Sequence, residues 1–243
     1  MPSMGSWYEA FKKGECNPVQ SRYWQKKPGL EFYDTQADPY ETNNLTDDPA
    51  HAARLQHMKD ALRADIIAIR DAGLIPEAMY ATLAGEGTIH DYAQSSAYPI
   101  ERVVDAADLA SDRNPANLDT FIALCADSHP VVRYWGVTGC LILEGRAQGA
   151  RATLRVLLND EFPVIRAVAA EALAYLGEAE LAYGTIAEIA LSKSNYDVLA
   201  ALNALDYLVQ AGHVPVEKAI AVAKQTDTKG DVGELSAYIQ NME

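Results

Sequence analysis

No apolar run in the sequence approaches the roughly 18 residues that a membrane-spanning helix needs, so no membrane span is expected. Met1-Pro-Ser-Met-Gly-Ser-Trp7 lacks a basic stretch followed by an apolar one, so no signal peptide is read there. Cysteine is scarce. Only Cys16, Cys125 and Cys140 occur, an odd count with no metal-site spacing. Cys125 and Cys140 fall in apolar helical stretches and read first as small buried hydrophobes, with a disulfide as the alternative. Basic charge is also scarce: 20 Lys and Arg stand against 34 Asp and Glu, a net charge of −14. Binding a phosphate backbone requires a basic footprint, so nucleic acid is not an expected partner. What basic charge there is gathers at the start. Residues 1–28 carry a net +3 and the remainder −17, which assigns the start to a different surface or domain.

Hydrophobic residues make up 49% of 243, enough for a sizeable core. Their spacing is helical and repeats. Asp127-Ser-His-Pro-Val-Val-Arg-Tyr-Trp-Gly136 aligns with Asp160-Glu-Phe-Pro-Val-Ile-Arg-Ala-Val-Ala169, so that Pro130 maps onto Pro163 and Arg133 onto Arg166 at an interval of 33. A looser third copy begins at Asn195, with Val198-Leu199 following Val164-Ile165 by 34. A fixed period of this size signals stacked supersecondary units. Val164, Ile165, Val168, Ala169, Ala172, Leu173 and Leu176 form one broad apolar helix face. Pro130 and Pro163 suit a first helical turn, and Gly177 and Gly212 suit helix ends. Helix pairs are expected at about 115–144, 147–177, 180–211 and 215–241, with Tyr98–Ala110 stacked in front. Tyr134 and Trp135 sit at helical spacing and read as core before they read as ligand platforms.

These repeats resemble the short form of HEAT repeats: an Asp or Asn turn, then Pro-Val-Val-Arg or Pro-Val-Ile-Arg opening the second helix. The resemblance implies a mainly α fold with an α-solenoid over residues 98–243, and it leaves room for a protein partner on the solenoid. Asp127, Arg133, Asp160 and Arg166 read as links between neighbouring units through charge-assisted hydrogen bonds, with a binding row as the alternative.

Residues 1–97 read differently. Leu30-Glu-Phe-Tyr-Asp34 alternates and predicts a short strand. Ala37 to Leu45 is rich in turn formers. Pro49 to Arg70 predicts a long amphipathic helix carrying Leu55, Met58, Leu62, Ile66 and Ile69, ended by Gly73, with Pro76 able to open another. The stretch Glu31-Phe-Tyr-Asp-Thr-Gln-Ala-Asp-Pro-Tyr-Glu-Thr-Asn-Asn-Leu45 resembles the C-terminal signature of sulfatases, carried by Tyr33, Asp34, Asp38, Pro39, Glu41, Asn44 and Leu45. Gly73-Leu-Ile-Pro-Glu77, His90-Asp-Tyr-Ala93 and Tyr98-Pro-Ile-Glu-Arg102 are similar to a subgroup, related to heparan N-sulfatases, that appends HEAT-like repeats. The signature marks structure and not chemistry. In the family, a formylglycine made in a Cys/Ser-x-Pro-x-Arg motif attacks sulfur beside a divalent metal, calcium, and both belong to the N-terminal domain. The resemblance therefore implies that this chain completes a catalytic domain lying elsewhere, that this domain is a partner, and that the parent is periplasmic or extracytoplasmic.

No catalytic, cofactor-binding or metal-binding residue is expected in this chain. Cys16-Asn-Pro-Val-Gln-Ser-Arg22 has the Cys and the Pro, but its Arg falls at +6 and not +4. His51, His57, His90, His129 and His213 form no ligand pattern. Gly85-Glu-Gly-Thr88 lacks the strand and helix of a phosphate cradle. Asp47-Asp48 reads as charge at a helix start, and Asn44-Leu-Thr46 as a sequon of the kind chance supplies. A free-standing HEAT-type protein-binding module is the alternative function.

Overall fold

A computed structural model describes residues 2–226 and 229–242. The fold is mainly helical, with no strand among the described residues. By contact, the chain divides into two compact units between Ala64 and Asp65, whereas the composition and motifs put the change at 97/98.

The first unit holds α1 (Pro2–Lys12), the single-turn α2 (Pro18–Ser21) and the larger part of α3 (Ala52–Ile69). Asn17 caps α2 reciprocally with Gln20, satisfying two end donors. Trp7, Tyr8, Phe11, Tyr23 and Trp24 gather in a cluster with neighbouring ring centres 4.8 to 6.5 Å apart. Even so, no residue between 3 and 64 is fully buried.

The strand expected at Leu30–Asp34 does not form. Its backbone bonds to a neighbouring loop instead. Phe32 N–H donates to Asn44 Oδ1 at 3.0 Å, Leu30 C=O accepts from Asn44 Nδ2 at 3.3 Å, and Leu45 N–H reaches Phe32 C=O at 2.8 Å. A ladder needs a second backbone edge in register. Here the amide of Asn44 stands in for that edge, so the segment stays extended but unpaired.

The long helix is also shorter than expected. It starts at Ala52 and stops at Ile69 because Arg70 takes a left-handed conformation (φ 53°). That turn aims the Arg70 guanidinium at three carbonyls, those of Ala93 (2.6 Å), Ser95 (2.6 Å) and Tyr98 (2.5 Å). Met58 (52% exposed) and Leu62 (62%) lie open on α3, whereas Ile66 and Ile67 pack against the buried cluster that holds Ile75 and Met79.

The second unit continues with α4 (Tyr80–Ala84), α5 (Ile89–Gln94), α6 (Ile100–Ser111), α7 (Leu118–Leu124), α8 (Pro130–Leu143), α9 (Arg151–Leu157), α10 (Pro163–Tyr175), α11 (Ala179–Ala190), α12 (Asn195–Gln210), α13 (Val216–Ala223) and α14 (Gly230–Gln240). Two helices fall in each of the four segments expected to hold a pair. The members of each pair touch, and α6, α8, α10, α12 and α14 touch in succession. Pro130 and Pro163 occupy first helical turns, where no backbone bond is lost. Gly177 (φ 90°) and Gly212 (φ 75°) end helices in the left-handed region that glycine enters freely. Close packing sets small residues inside α8: a Cβ on Gly136 would sit 2.8 Å from Cys125 N, and one on Gly139 2.5 Å from the Phe121 ring.

Helix α10 is apolar nearly all round, as a helix packed on several sides must be. Val164, Ile165, Ala169, Ala172, Leu173 and Leu176 belong to one buried cluster reaching back to Ile75. Ala167, Ala170 and Ala174 belong to a second that runs on to Ile239. Cys125 and Cys140 are both buried and unlinked. No helix among the described residues is long and apolar enough to cross a membrane.

Candidate functional site: an arginine ladder and the groove at its last rung

The repeats carry a ladder built from their turns. Before α8, Asp127 Oδ1 accepts from His129 N–H at 2.8 Å, and before α10, Asp160 Oδ1 accepts from Phe162 N–H at 3.0 Å. Each carboxylate thus closes the turn that starts its helix, the ordinary local use of Asp. Its second oxygen is left to face an arginine from the preceding repeat. Arg102 of α6 pairs with Asp127. Arg133 of α8 donates Nε to Asp160 Oδ2 (2.9 Å), and Nη2 to Asp160 Oδ1 (3.3 Å) and to Glu161 Oε1 (3.1 Å). Its Nη1 donates to the carbonyls of Asp127 and Ser128, both at 3.1 Å. Arg133 therefore ties its own repeat's turn to the next one, with 12% of its side chain and 6% of that of Asp160 exposed.

Arg166 of α10 keeps only the backbone half of this pattern. Its Nη1 donates to Asp160 C=O at 3.0 Å, as Arg133 does to Asp127 C=O, but no carboxylate lies within ion-pairing distance of it among the described residues. The turn explains why. Where Asp127 and Asp160 accept from the amide two residues on, the third turn has Ser192, whose Oγ accepts from Ser194 N–H at 3.3 Å. Counted from the helix starts at Pro163 and Asn195, the interval is 32 and not the 34 expected from Val198-Leu199, so Lys193 stands where Glu161 stood. Asp197 attracts Arg166 from beyond contact. Burial raises its carboxyl pKa, with the Ser194 hydrogen bond and Arg166 opposing. Arg166 lines a groove of about 570 Å³ together with Arg155, Leu158, Asn159, Leu181, Thr185 and Glu188. Sequence reasoning missed Arg102, Glu161 and Ser192. Arg102 lies 31 residues before Arg133, close to the repeat interval, and was the available signal.

The signature residues lie apart from this ladder, in the first unit, and serve their own loop. Asp34 Oδ1 accepts from the amides of Gln36 (3.0 Å) and Ala37 (3.2 Å). Asp38 Oδ2 accepts from the amides of Thr42 (2.6 Å) and Asn43 (2.7 Å). The Asn43 amide foremost, with those of Thr42 behind it, holds the Asp38 carboxyl below its ordinary range. Asn44 Oδ1 accepts from Phe32 N–H and from both the amide (3.1 Å) and the hydroxyl (2.6 Å) of Thr46. Pro39 lies in the turn, and Glu41 follows it with φ 52°. Arg22 straps the loop from outside through the carbonyls of Glu41 and Thr42. Tyr33 Oη donates to Glu31 at 3.1 Å, and Leu45 contributes its amide as described above.

Other groups with chemical potential are also engaged in structure. His129 Nε2 is 2.8 Å from Tyr92 Oη, and burial lowers its pKa. Among the described residues no three His, Cys, Asp or Glu side chains gather as a metal site.

Glu171 of α10 is the exception to good pairing. It lies near Tyr134 and Tyr175, and burial pushes its carboxyl up to about 7, from an ordinary 4.5. The raised value means that the folded chain favours the protonated acid. Glu171 is therefore harmless below about pH 4.5, and its cost grows as pH rises towards 7. Glu171→Gln is expected to stabilise the chain by about 1–3 kcal/mol at pH 8 and to be close to neutral at pH 4. Urea melts of both proteins at the two pH values measure this, and an equal effect at both would refute the buried-acid account.

No protein-family model, curated protein or solved structure matches the chain.

Proposed function

We propose that the chain is the non-catalytic C-terminal portion of a sulfatase-type hydrolase acting on sulfuric esters or sulfamates. In this reading residues 98–243 form an α-solenoid of HEAT-like pairs that shapes substrate access or mediates assembly, and the first segment completes the fold of the catalytic domain. The observation that carries it is the missing interior of the first unit. Residues 3–64 contain a cluster of aromatic rings and the apolar side of α3, yet none of them is fully buried. The second unit, by contrast, buries a continuous series from Ile75 to Ile239. A segment with apolar groups but no core of its own is suited to finishing a core that another domain supplies. In the signature loop Asp34, Asp38 and Asn44 accept from backbone amides, in keeping with a signature that marks structure.

The test is to read the DNA upstream of the Met1 codon. An in-frame Cys/Ser-x-Pro-x-Arg region supports the proposal, and a native start at Met1 without one removes it. The purified chain is further expected not to hydrolyse aryl sulfates or sulfated oligosaccharides, with Cys16 an ordinary thiol by mass. Sulfate transfer needs a strong nucleophile and a cation for the developing charge. Metal-dependent turnover lost in Cys16→Ala would overturn the non-catalytic reading.

A second reading, a stand-alone HEAT-type protein-binding module, is favoured by the open rung at Arg166.

A further inference from the structure

At the third rung the turn supplies no acid to the arginine, and the buried Asp197 attracts Arg166 only from beyond ion-pairing distance. Asp160 and Glu161, which neutralise Arg133, correspond to Ser192 and Lys193 beside Arg166. One acid has become neutral and the other cationic. Arg166 is nonetheless held in place, because its bond to Asp160 C=O repeats that of Arg133 to Asp127 C=O. A guanidinium anchored on one side to a carbonyl, with Asp197 out of pairing reach, is preorganised to accept a carboxylate from outside.

We propose that the groove at this rung binds an acidic side chain of a protein partner, one flanked by an apolar residue. The carboxylate pairs with Arg166 from within the groove. Arg155 adds positive charge to the groove while its Nε stays on Glu178 (2.8 Å). Asn159 and Thr185 supply polar contacts, and Leu181, 45% exposed, and Leu158 supply apolar ones. That mixture is why the occupant is a peptide and not a free anion. A solvent-open ion pair by itself is too weak to hold a small anion at ordinary concentrations. Burying an apolar neighbour on Leu158 and Leu181 adds the favourable transfer of apolar surface out of water. Glu188 lines the same groove outside ion-pairing reach of Arg166, so it repels a misplaced acid and narrows where the carboxylate can sit. The inference deepens the protein-binding reading but rests on the groove alone, and it stands whatever lies upstream of Met1.

The experiment titrates the full ¹⁵N-labelled chain with short capped peptides in which Glu, or Gln in its place, sits between two Leu residues. Sodium acetate is the free-anion control. The Glu peptide is expected to give saturable shifts at the amides of Asn159, Arg166 and Thr185, and the Gln peptide and acetate are expected not to. Arg166→Gln weakens binding about three- to fivefold, and Glu188→Gln tightens it. The double change Ser192→Asp with Lys193→Glu rebuilds the missing acids in the chain itself and abolishes binding while leaving the remaining spectrum intact. Equal binding of the Gln peptide, full binding by the double variant, shifts reproduced by acetate, or no shift with millimolar Glu peptide would each overturn the proposal. If the double variant fails to fold, Arg166→Gln decides alone.

Discussion

Leu173→Ala is expected to lower the unfolding free energy by about 2–5 kcal/mol, through the lost transfer energy of the side chain and the cavity it leaves. Leu173 has no exposed surface and lies on the face of α10 that closes the first buried cluster. The opposite face of the same helix, through Ala167, Ala170 and Ala174, closes the second cluster. Relaxation of α10 into the cavity would disturb packing on its other side, so little of the void can be recovered. In stacked helical units stability comes mainly from such neighbour interfaces. The urea midpoint should therefore fall with an unchanged slope, because the surface exposed on unfolding hardly changes. A loss below about 0.5 kcal/mol, the size of an ordinary surface substitution, would place Leu173 outside the core.

Arg133→Ala is expected to cost about 2–4 kcal/mol, near the lower end for a buried pair broken on one side. The substitution removes the partner of Asp160, whose side chain is 6% exposed, and strips donors from the carbonyls of Asp127 and Ser128. Most of the loss is the penalty of a stranded carboxylate, not the worth of the pair itself. Arg133→Lys should recover only part, since an ammonium cannot reproduce a planar fork spread over two carboxylates and two carbonyls. Arg166→Ala should cost under about 1 kcal/mol, because Arg166 holds a single carbonyl. The contrast between two arginines 33 residues apart is the sharpest check on the ladder. Equal losses at both positions would mean that Arg166 has a structural partner and that its groove is not open.

The two arginines also mark how far the sequence can be read. Their common interval with Pro130 and Pro163 locates the repeat, since proline at a first helical turn and glycine at a helix end act through their own backbone. The structure puts helices in each segment so marked. Leu30–Asp34 reads as a strand for an equally local reason, its alternation, yet a strand exists only if another backbone edge is supplied. Here Asn44 supplies a side chain in place of that edge. The end of α3 is legible to within one residue, but what fixes it there, the reach of Arg70 to Ala93, Ser95 and Tyr98 across more than 20 residues, is not.

Taken alone, the sequence determined the helical class, the repeat interval and the absence of long apolar spans, all set by neighbours a few residues away. Tertiary structure decided which arginine meets an acid. Arg133 and Arg166 sit in nearly the same local text, Pro-Val-Val-Arg and Pro-Val-Ile-Arg, and only the turn of the following repeat separates them. It also decided that the half-buried Glu171 is desolvated enough for its carboxyl to shift upward, and that Met58 and Leu62 of α3 stay open while Ile66 and Ile67 are covered. Those outcomes depend on which surfaces the stacked helices bring together, and burial and ion pairing are properties of that meeting, not of the residues that take part.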